Sequence, residues 1–525
     1  MHTPSRSGVA KAALLITAGG LASRILGLVR EQLAAGYFGA GDAVAAFQIA
    51  DNVQTLLFDL VISGMLQAAL VPVLVEYSGV RDRRDLRRIS GTIATVAFLI
   101  VGLATALGWV FTGRLVQVMT SLGAGDQSRS PETVAMTEHL VRIVLPGVLF
   151  LAIGTVFSAV LYALGRASGP ATALAARNLV VVIAIVSLAD RIGVESMAYG
   201  VLIGGALVAA IQLPWLIKLD AIPRPNLQLL DPAVRQIGRL YIPVFLGLMV
   251  STVQVVVDRN LAWRAESDAL GAMRYATTLV QSVLGLVAAA ISLAALPVLA
   301  IHFANRDEDS FNHTLEQAVR MVTVLILPAV FGLAALARPV VGLLFEHGET
   351  GAAEANSIAT VLLAYLPGTL FAAYDQVLIY MFYSRRSTWI PVLVGVFSIG
   401  AYFAVAGLLA DRFGAAGLAI ANSAQFVTHT IVLGWIARHR IGEIWNRVSY
   451  LLALTLAGSL ACAGVAYLTY RLIDRVMVEG LVRQFGAVVV PAAFGGAVYL
   501  AVLLVARVPE IEMIKNRVGA RLPAR

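Results

Sequence analysis

Long apolar runs separated by short polar segments recur along the whole chain. A membrane-spanning helix needs about 20 consecutive, mostly apolar residues, and most of these runs reach that length. Glycine, proline and charged residues mark the boundaries between them. The pattern predicts an all-α polytopic membrane protein with about 14 transmembrane helices, which we number as spans 1 to 14. The spans lie at 9–37, 43–77, 89–119, 137–165, 170–189, 195–219, 234–263, 269–303, 312–345, 354–384, 388–410, 414–438, 447–472 and 485–506.

Positive charge concentrates in alternate loops. One set contains Arg81, Arg83, Arg84, Arg87 and Arg88, then Arg166, then Lys218, Arg224 and Arg235, then Arg385 and Arg386, then Arg438, Arg440 and Arg447. The alternate set is poorer in positive charge and covers 38–42, 120–136, 190–194, 264–268, 346–353 and 411–413. The positive-inside rule places the first set in the cytoplasm. Both termini are then cytoplasmic, which needs an even number of spans, and fourteen satisfies that need. The basic tail with Lys515, Arg517, Arg521 and Arg525 agrees.

An internal repeat relates spans 1–6 to spans 7–12. Similar local sequences recur at nearly one offset, and they pair Pro72 with Pro297, Arg166 with Arg385, and Gly193 with Gly414. Because six is an even number, the two six-helix lobes share one orientation and form a parallel repeat, a transporter architecture with its substrate site between the lobes. The predicted domains are 1–220 for the N-terminal lobe, 221–440 for the C-terminal lobe, and 441–525 for spans 13 and 14 with the tail.

Two arginines, Arg24 and Arg30, lie inside span 1. An arginine near the middle of a bilayer costs about 2.5–3.5 kcal/mol on insertion scales, so such residues normally face a bundle interior or a water-filled cavity. Two in one span indicate an anionic ligand within the membrane. The alternative is that both side chains reach the membrane surface or pair with nearby acids.

Further polar residues form stripes along the spans. Ser23, Gly27 and Arg30 share one face of span 1, because residues three and four apart are neighbours on a helix. The other stripes are Gln48, Asn52, Thr55, Asp59 and Ser63 in span 2, Gln254 and Asp258 in span 7, Arg274, Thr277, Thr278 and Gln281 in span 8, and Asp375 and Gln376 in span 10. Such stripes face other helices or water. For the neutral residues, hydrogen bonds between helices are the alternative explanation.

Composition narrows the function. Hydrophobic residues make up 59% of the chain and charged residues 13%, with a formal net charge of +8. The positive residues lie mostly in loops, so they indicate membrane orientation and not nucleic-acid binding. The single Cys462 and the scattered histidines predict no disulfide, no metal site and no cofactor. An enzyme is disfavoured because no outward loop is long enough to carry an acceptor site.

Several motifs resemble the MurJ/MviN family of lipid II flippases, within the multidrug/oligosaccharidyl-lipid/polysaccharide exporter superfamily. The matching segments are Ser23-Arg24-x-Leu26-Gly27-x-x-Arg30-Glu31, then Phe38-Gly39-Ala40-Gly41, Leu70-Val71-Pro72-Val73-Leu74-x-Glu76-Tyr77, Leu344-Phe345-Glu346-His347-Gly348 and Phe382-Tyr383-Ser384-Arg385. The similarity extends over essentially the whole chain and includes the span count.

The resemblance implies a two-lobed flippase with fourteen helices and a central cationic cavity. Its arginines in spans 1, 2 and 8 are thought to bind the lipid pyrophosphate, and those of span 1 carry over to Arg24 and Arg30. The chain departs from the family at other positions. The family's paired arginines of span 2 align with Phe58 and Asp59 of this chain. The family's acidic residue at the start of span 2 aligns with Ala45, and its span 8 arginine aligns with Thr278. Arg274 lies one turn before Thr278. Span 11, where sodium-using members have acidic or amide ligands, has none at 388–410.

The residues and the resemblance together predict a lipid II flippase of the bacterial inner membrane that works by alternating access, moving the lipid from the inner to the outer leaflet. The predicted substrate-binding residues are Ser23, Arg24, Gly27, Arg30, Asn52, Asp59, Arg274, Thr278 and Gln281. Asp59 is expected to pair with Arg24 or Arg30 in the empty carrier. The expected partners are lipid II, membrane lipids and cell-wall synthesis proteins. The alternatives are a flippase for another lipid-linked oligosaccharide, a cation-coupled drug exporter, and a non-transporting scaffold of the cell-wall machinery.

Overall fold

A computed structural model describes residues 6–61, 70, 74, 83–120, 129–166, 168–385, 387, 389–441, 444–477 and 480–509. Within these ranges every regular element is a helix. The helices are α1 (Arg6–Phe38), α2 (Asp42–Val61), α3 (Arg83–Val110), α4 (Thr112–Thr120), α5 (Pro131–Val144), α6 (Gly147–Ala163), α7 (Ser168–Ile192), α8 (Glu195–Ala210), α9 (Leu213–Lys218), α10 (Pro232–Arg264), α11 (Ala269–Leu286), α12 (Ala288–Ala304), α13 (Glu308–Ala335), α14 (Ala337–Phe345), α15 (Ala352–Ser384), α16 (Trp389–Ile441), α17 (Ile444–Val476) and α18 (Leu481–Val505).

The all-α membrane fold is confirmed. Among the described residues, ten helical stretches are long and apolar enough to cross a membrane. One of them, Trp389–Arg438, is 50 residues long and breaks at Gly414, so it covers predicted spans 11 and 12. Predicted spans 1 and 7 coincide with α1 and α10, and α2 covers the first part of predicted span 2. The count of fourteen crossings stays a prediction.

Large apolar side chains cover much of the outer surface of these helices. Leu103 of α3 is 63% exposed and Leu408 of α16 is 71% exposed. Apolar surface of this extent is typical of helices that contact lipid chains, which solvate leucine as well as a protein core does.

The first of two compact units comprises Met1–Gly271. In this unit α1 packs on α7, α7 on α8, α2 on α5, and α6 on α8. A buried apolar cluster joins α3, α6, α9 and the start of α10, and it includes Leu86, Val148, Val156, Leu216 and Ile237.

The second unit comprises Ala272–Arg525. Here α15 packs on α16, α17 on α18, α13 on α17, and α12 on α15. The hydroxyl of Tyr499 in α18 donates to the carbonyl of Val324 in α13 at 2.7 Å, within an apolar cluster that includes Leu451 and Leu503. The predicted domain boundaries at 220 and 440 stay predictions.

One pair of repeat positions shares a positive φ angle. Gly193 and Gly414 have φ values of 58° and 51°, a left-handed region that glycine adopts without a steric penalty. Gly193 lies between predicted spans 5 and 6, and Gly414 is the first residue of predicted span 12. Pro72, which the repeat pairs with Pro297, lies outside the described residues. The same holds for Ser63, Arg386 and the basic tail.

Loop residues predicted to share one side of the membrane contact one another. On the predicted cytoplasmic side, Arg87 pairs with Asp220 at 2.5 Å, and Arg88 pairs with Asp231 at 3.2 Å. At the predicted outward side, Arg129 pairs with Asp42. Both groups of contacts agree with the loop assignment made from charge.

Candidate functional site

The predicted polar face of α1 meets one amide on α7. The Asn178 Nδ2 group donates to the carbonyl and the hydroxyl oxygen of Ser23, both at 3.0 Å. Arg30 donates from NH1 to Asn178 Oδ1 at 3.2 Å. A Cβ atom at Gly27 would lie 3.9 Å from Asn178 Nδ2, so this position contacts the same amide. The structure therefore brings Ser23, Gly27 and Arg30 together around Asn178.

Arg30 also has an acidic partner. Its Nε and NH2 groups donate to Glu31 Oε1 at 2.9 and 2.6 Å, and Glu31 is 1% exposed. Pairing with a nearby acid, the alternative considered for the span 1 arginines, therefore applies to Arg30. A buried carboxylate needs such a partner, since an uncompensated charge in this environment is costly. Arg24, almost two turns earlier on α1, is exposed.

The stripe on α2 runs from a buried to an exposed environment. Gln48 is buried, Asn52 and Asp59 are half-buried, and Thr55 is exposed. The amide of Gln48 donates to Asn52 Oδ1 at 3.4 Å, while Asn52 Nδ2 is buried without a hydrogen-bond partner. This end of the stripe thus has hydrogen-bonding capacity left over. The pairing of Asp59 with Arg24 stays a prediction.

Arg177 on α7 was missed in the sequence. Its Nε atom is buried without a hydrogen-bond partner, and the guanidinium lies within electrostatic range of Arg30 and of Asp51 on α2. A Cβ atom at Gly204 of α8 would lie 3.2 Å from Arg177 Cγ, so the side-chain stem packs between helices. A charged residue inside the apolar segment 170–189 was the available signal, because intramembrane charges mark functional sites.

The predicted residues of span 8 lie in the second unit, on α11. Arg274 is 6% exposed, and its carbonyl accepts a hydrogen bond from the Thr278 hydroxyl at 3.1 Å. Gln281, one further turn along, is exposed. The structure describes these three residues as one helix face within this unit.

Residues near the predicted outward side of the first unit form a polar and aromatic cluster. Arg129 pairs with Asp42 and lies over the Trp263 ring, with 4.9 Å between its guanidinium carbon and the ring centroid. Burial lowers the pKa of Arg129, and the nearby Asp42 carboxylate opposes that shift. A Cβ atom at Gly271 would lie 2.3 Å from the Ala40 carbonyl oxygen, so the start of α11 is in direct backbone contact with the loop before α2.

Among the described residues, no group of three or more His, Cys, Asp or Glu side chains could hold a metal ion. The polar groups described around α1 and α7 include two guanidinium groups, two carboxylates and an amide. They belong to Arg30 and Arg177, to Glu31 and Asp51, and to Asn178. Guanidinium groups and amides suit an anionic ligand with phosphate oxygens, because arginine binds such oxygens with paired, charge-assisted hydrogen bonds.

Comparison with known proteins agrees with this chemistry. A family model described as lipid II flippase MurJ matches residues 34–490. A probable lipid II flippase MurJ of Vibrio cholerae serotype O1 is 30% identical over 425 residues, which cover 79% of this chain and 80% of that protein. A lipid II flippase MurJ of Burkholderia cenocepacia is 26% identical over 392 residues, covering 74% of this chain and 75% of its own.

Solved structures share the fold. A lipid II flippase MurJ in an inward closed conformation matches with a TM-score of 0.78 at 21% identity, over 94% of this chain and 99% of its own. An inward-facing multidrug resistance MATE family transporter of the MOP superfamily matches with a TM-score of 0.64 at 16% identity, over 81% and 96%. With the family model matching most of its length, this chain belongs to the MurJ family of lipid II flippases, which are transporters and not enzymes.

Proposed function

We propose that this protein moves lipid II from the inner to the outer leaflet of the bacterial cytoplasmic membrane by alternating access. The observation that carries the proposal is the polar group on α1 and α7, where Arg30 is held by Glu31 and Asn178 inside apolar helices. The lipid chain would stay in the bilayer while its charged headgroup crosses along polar side chains. Membership of the flippase family supports the identity of the lipid.

In this proposal Arg30 and Arg24 bind the pyrophosphate. A guanidinium stays charged and offers a planar set of donors that matches phosphate oxygens. In the empty protein Glu31 supplies the counter-charge for Arg30, and Asn178 fixes the direction of its NH1 group. The incoming pyrophosphate would compete with Glu31 for the guanidinium. The empty and the loaded protein would then differ in which anion Arg30 holds.

Arg177 would supply a further positive charge near Arg30 in the first unit. The family arginines of span 2 align with Phe58 and Asp59, whereas Arg177 lies in electrostatic range of Arg30 and retains an unpaired Nε donor. Arg177→Gln should therefore slow flipping, and Arg177→Lys should retain part of the rate because the positive charge remains. Equal rates in wild type and Arg177→Gln would rule out this role.

In the second unit, we infer that Arg274 serves in place of the family arginine that aligns with Thr278. Arg274 is buried and lies one turn earlier on the same helix. Arg274→Ala should be as damaging as Arg24→Ala. Adding Thr278→Arg to that variant should restore part of the rate, since it returns a guanidinium to the neighbouring turn. A silent Arg274→Ala would refute this assignment.

Orientation and partners are also part of the proposal. Both termini would be cytoplasmic, as loop charge indicates. The contacts among loops bear only on which loops share a side of the membrane. Proteins of cell-wall synthesis, which make and consume the lipid, would be the partners.

Depletion of the protein tests the proposal, with measurement of which lipid-linked precursor accumulates. Lipid II should accumulate, and expression of wild type should reverse this. Arg24→Ala and Arg30→Ala should fail to reverse it at normal protein levels. Arg412→Ala, which removes an exposed arginine from the predicted outward loop 411–413, should succeed. Accumulation of another lipid-linked sugar would change the substrate. Normal precursor levels on depletion would favour a scaffold.

A further inference from the structure

A buried acid and a buried histidine join three predicted spans of the second unit. Asp375 on α15 is 4% exposed and His429 on α16 is 8% exposed. The distance between His429 Nδ1 and Asp375 Oδ1 is 2.5 Å, and His429 Nε2 lies 3.1 Å from the carbonyl oxygen of Pro391. Because α16 breaks at Gly414, Pro391 belongs to its first part and His429 to its second.

The hydrogen-bond partners fix the number of protons in this group. The Pro391 carbonyl can only accept, so His429 Nε2 carries a hydrogen and donates it. The contact between Nδ1 and Oδ1, at 2.5 Å, is a hydrogen bond when Nδ1–H donates to the carboxylate or when a carboxylic acid donates to Nδ1, and each arrangement places one proton between the two atoms. The pair is then an imidazolium with a carboxylate, or a neutral imidazole with a carboxylic acid. Its net charge is zero in both forms.

Loss of that proton would change the packing of these helices. The pair would carry one net negative charge among apolar helices, and the Nδ1 lone pair would face a carboxylate. Both effects are unfavourable away from water. The two side chains would have to separate or admit water, and since they lie on α15 and α16, the contact between those helices would change with protonation.

Neighbouring helices present few other titratable groups to the pair. Tyr383 on α15 lies in electrostatic range of Asp375, and the Tyr374 hydroxyl turns to Thr323 of α13 at 3.1 Å. Charged groups of the surrounding helices have partners or positions of their own: His302 of α12 lies beside Asp307, Glu316 of α13 beside Arg320 and Arg447, Arg338 of α14 beside Glu346, and Asp411 and Arg412 of α16 are exposed. The proton is therefore shared chiefly by Asp375 and His429.

We propose that Asp375 and His429 form a proton-binding site through which proton movement is coupled to transport. Both ring nitrogens of His429 already contact oxygen atoms, which favours a proton over a metal ion as the bound species. The site takes one proton from water on one side of the membrane and releases it to water on the other, in exchange for outward movement of the lipid. This inference rests on the proposed lipid transport.

Infrared difference spectra of the purified protein in lipid test the site itself. Stepping the buffer from acid to alkaline should produce one carboxyl signal and one imidazole signal from this pair in wild type, in addition to the signals of the other acidic and histidine side chains. These signals should be lost in Asp375→Asn, where the amide can still hydrogen-bond to His429, and in His429→Gln. Thr430→Val is the matched control, because the Thr430 hydroxyl donates to the Phe371 carbonyl at 2.9 Å across the same helix pair without a titratable group.

Flipping in proteoliposomes with the membrane potential clamped at zero tests the coupling. A pH gradient, acid on the outward side, should accelerate lipid II flipping by wild type and by Thr430→Val, and the acceleration should be lost in Asp375→Asn and His429→Gln. If wild type flips lipid II with no response to the gradient, or if the infrared signals persist in both variants, the proton site is refuted while lipid transport stands. If wild type moves no lipid II under any condition, the proposed function fails, and the coupling fails with it.

Discussion

The amide of Asn178 joins α7 to α1. Replacing Asn178 removes the contact that orients the Arg30 guanidinium and leaves the charge of Arg30 in place. Asn178→Leu keeps a similar volume but removes the acceptor for Arg30 NH1 and the donor to Ser23. A hydrogen bond to a charged group contributes about 1.5–3 kcal/mol. Since each 1.4 kcal/mol corresponds to about a factor of ten, lipid binding that depends on this orientation should weaken about ten- to a hundredfold.

Asn178→Asp has nearly the same shape as the wild-type side chain, but it adds a negative charge beside Arg30, whereas Asn178→Leu removes the acceptor there. The new carboxylate would lie about where Asn178 Oδ1 now lies, 3.2 Å from Arg30 NH1. At that distance and an effective dielectric constant of 20, the attraction is about 5 kcal/mol before desolvation. Arg30 would then have two acidic partners, the new one and Glu31, and the pyrophosphate would have to displace both. Flipping should therefore fall further in Asn178→Asp than in Asn178→Leu.

The assay is the rate of lipid II flipping in proteoliposomes, normalised to inserted protein, with thermal stability measured in parallel. Thr172→Val is the control, because the Thr172 hydroxyl bonds only to carbonyls of its own helix, at 3.0 and 2.9 Å. If Asn178 served packing alone, the near-isosteric Asn178→Asp would be the milder change. Wild-type flipping by Asn178→Asp, or a rate above that of Asn178→Leu, would refute the role assigned to Arg30.

Two further predictions concern the outward cluster and the topology. Gly271→Ala should lower the free energy of unfolding by about 1–3 kcal/mol, the usual cost of overpacking, because its Cβ would meet the Ala40 backbone. Gly41→Ala is the control and should leave the thermal unfolding midpoint unchanged, because a Cβ there meets nothing within 4 Å. Equal thermal unfolding midpoints for the two variants would contradict the contact between Gly271 and the Ala40 backbone. Cysteines placed at the exposed Gln228 and Ser267 should react with impermeant reagents from opposite sides of the membrane, and labelling from one side would overturn the span assignment.

Periodicity predicted the face of α1 correctly but not its neighbour. Ser23, Gly27 and Arg30 recur at helical spacing, which is a local property of the sequence, and they do meet one common group. That group is Asn178, which lies 148 residues after Arg30. Hydropathy determines where a span lies, but which helix lies beside it depends on packing of the whole unit. Partners on other helices therefore could not be read from the pattern.

Arg177 and His429 were missed for different reasons. Arg177 carried a local signal, a charge in an apolar segment, which was visible in the sequence. His429 carried little, since a lone histidine in a span has many possible explanations, and only its contact with Asp375, 54 residues away, gives it a role. The predictions at Pro72 and Ser63 lie outside the described residues.

The residues proposed to bind the anion and those proposed to bind the proton lie in different units, so substitutions should separate the two functions. Arg30 lies in the first unit, and Asp375 and His429 lie in the second. Arg30→Ala should weaken lipid binding and leave the infrared signals of Asp375 and His429 intact, because it changes no group in contact with that pair. His429→Gln should remove the signals and the response to a pH gradient while lipid still binds with near wild-type affinity. Loss of the infrared signals in Arg30→Ala would mean that the two groups titrate as one site, and the separation argued from their contacts would be wrong.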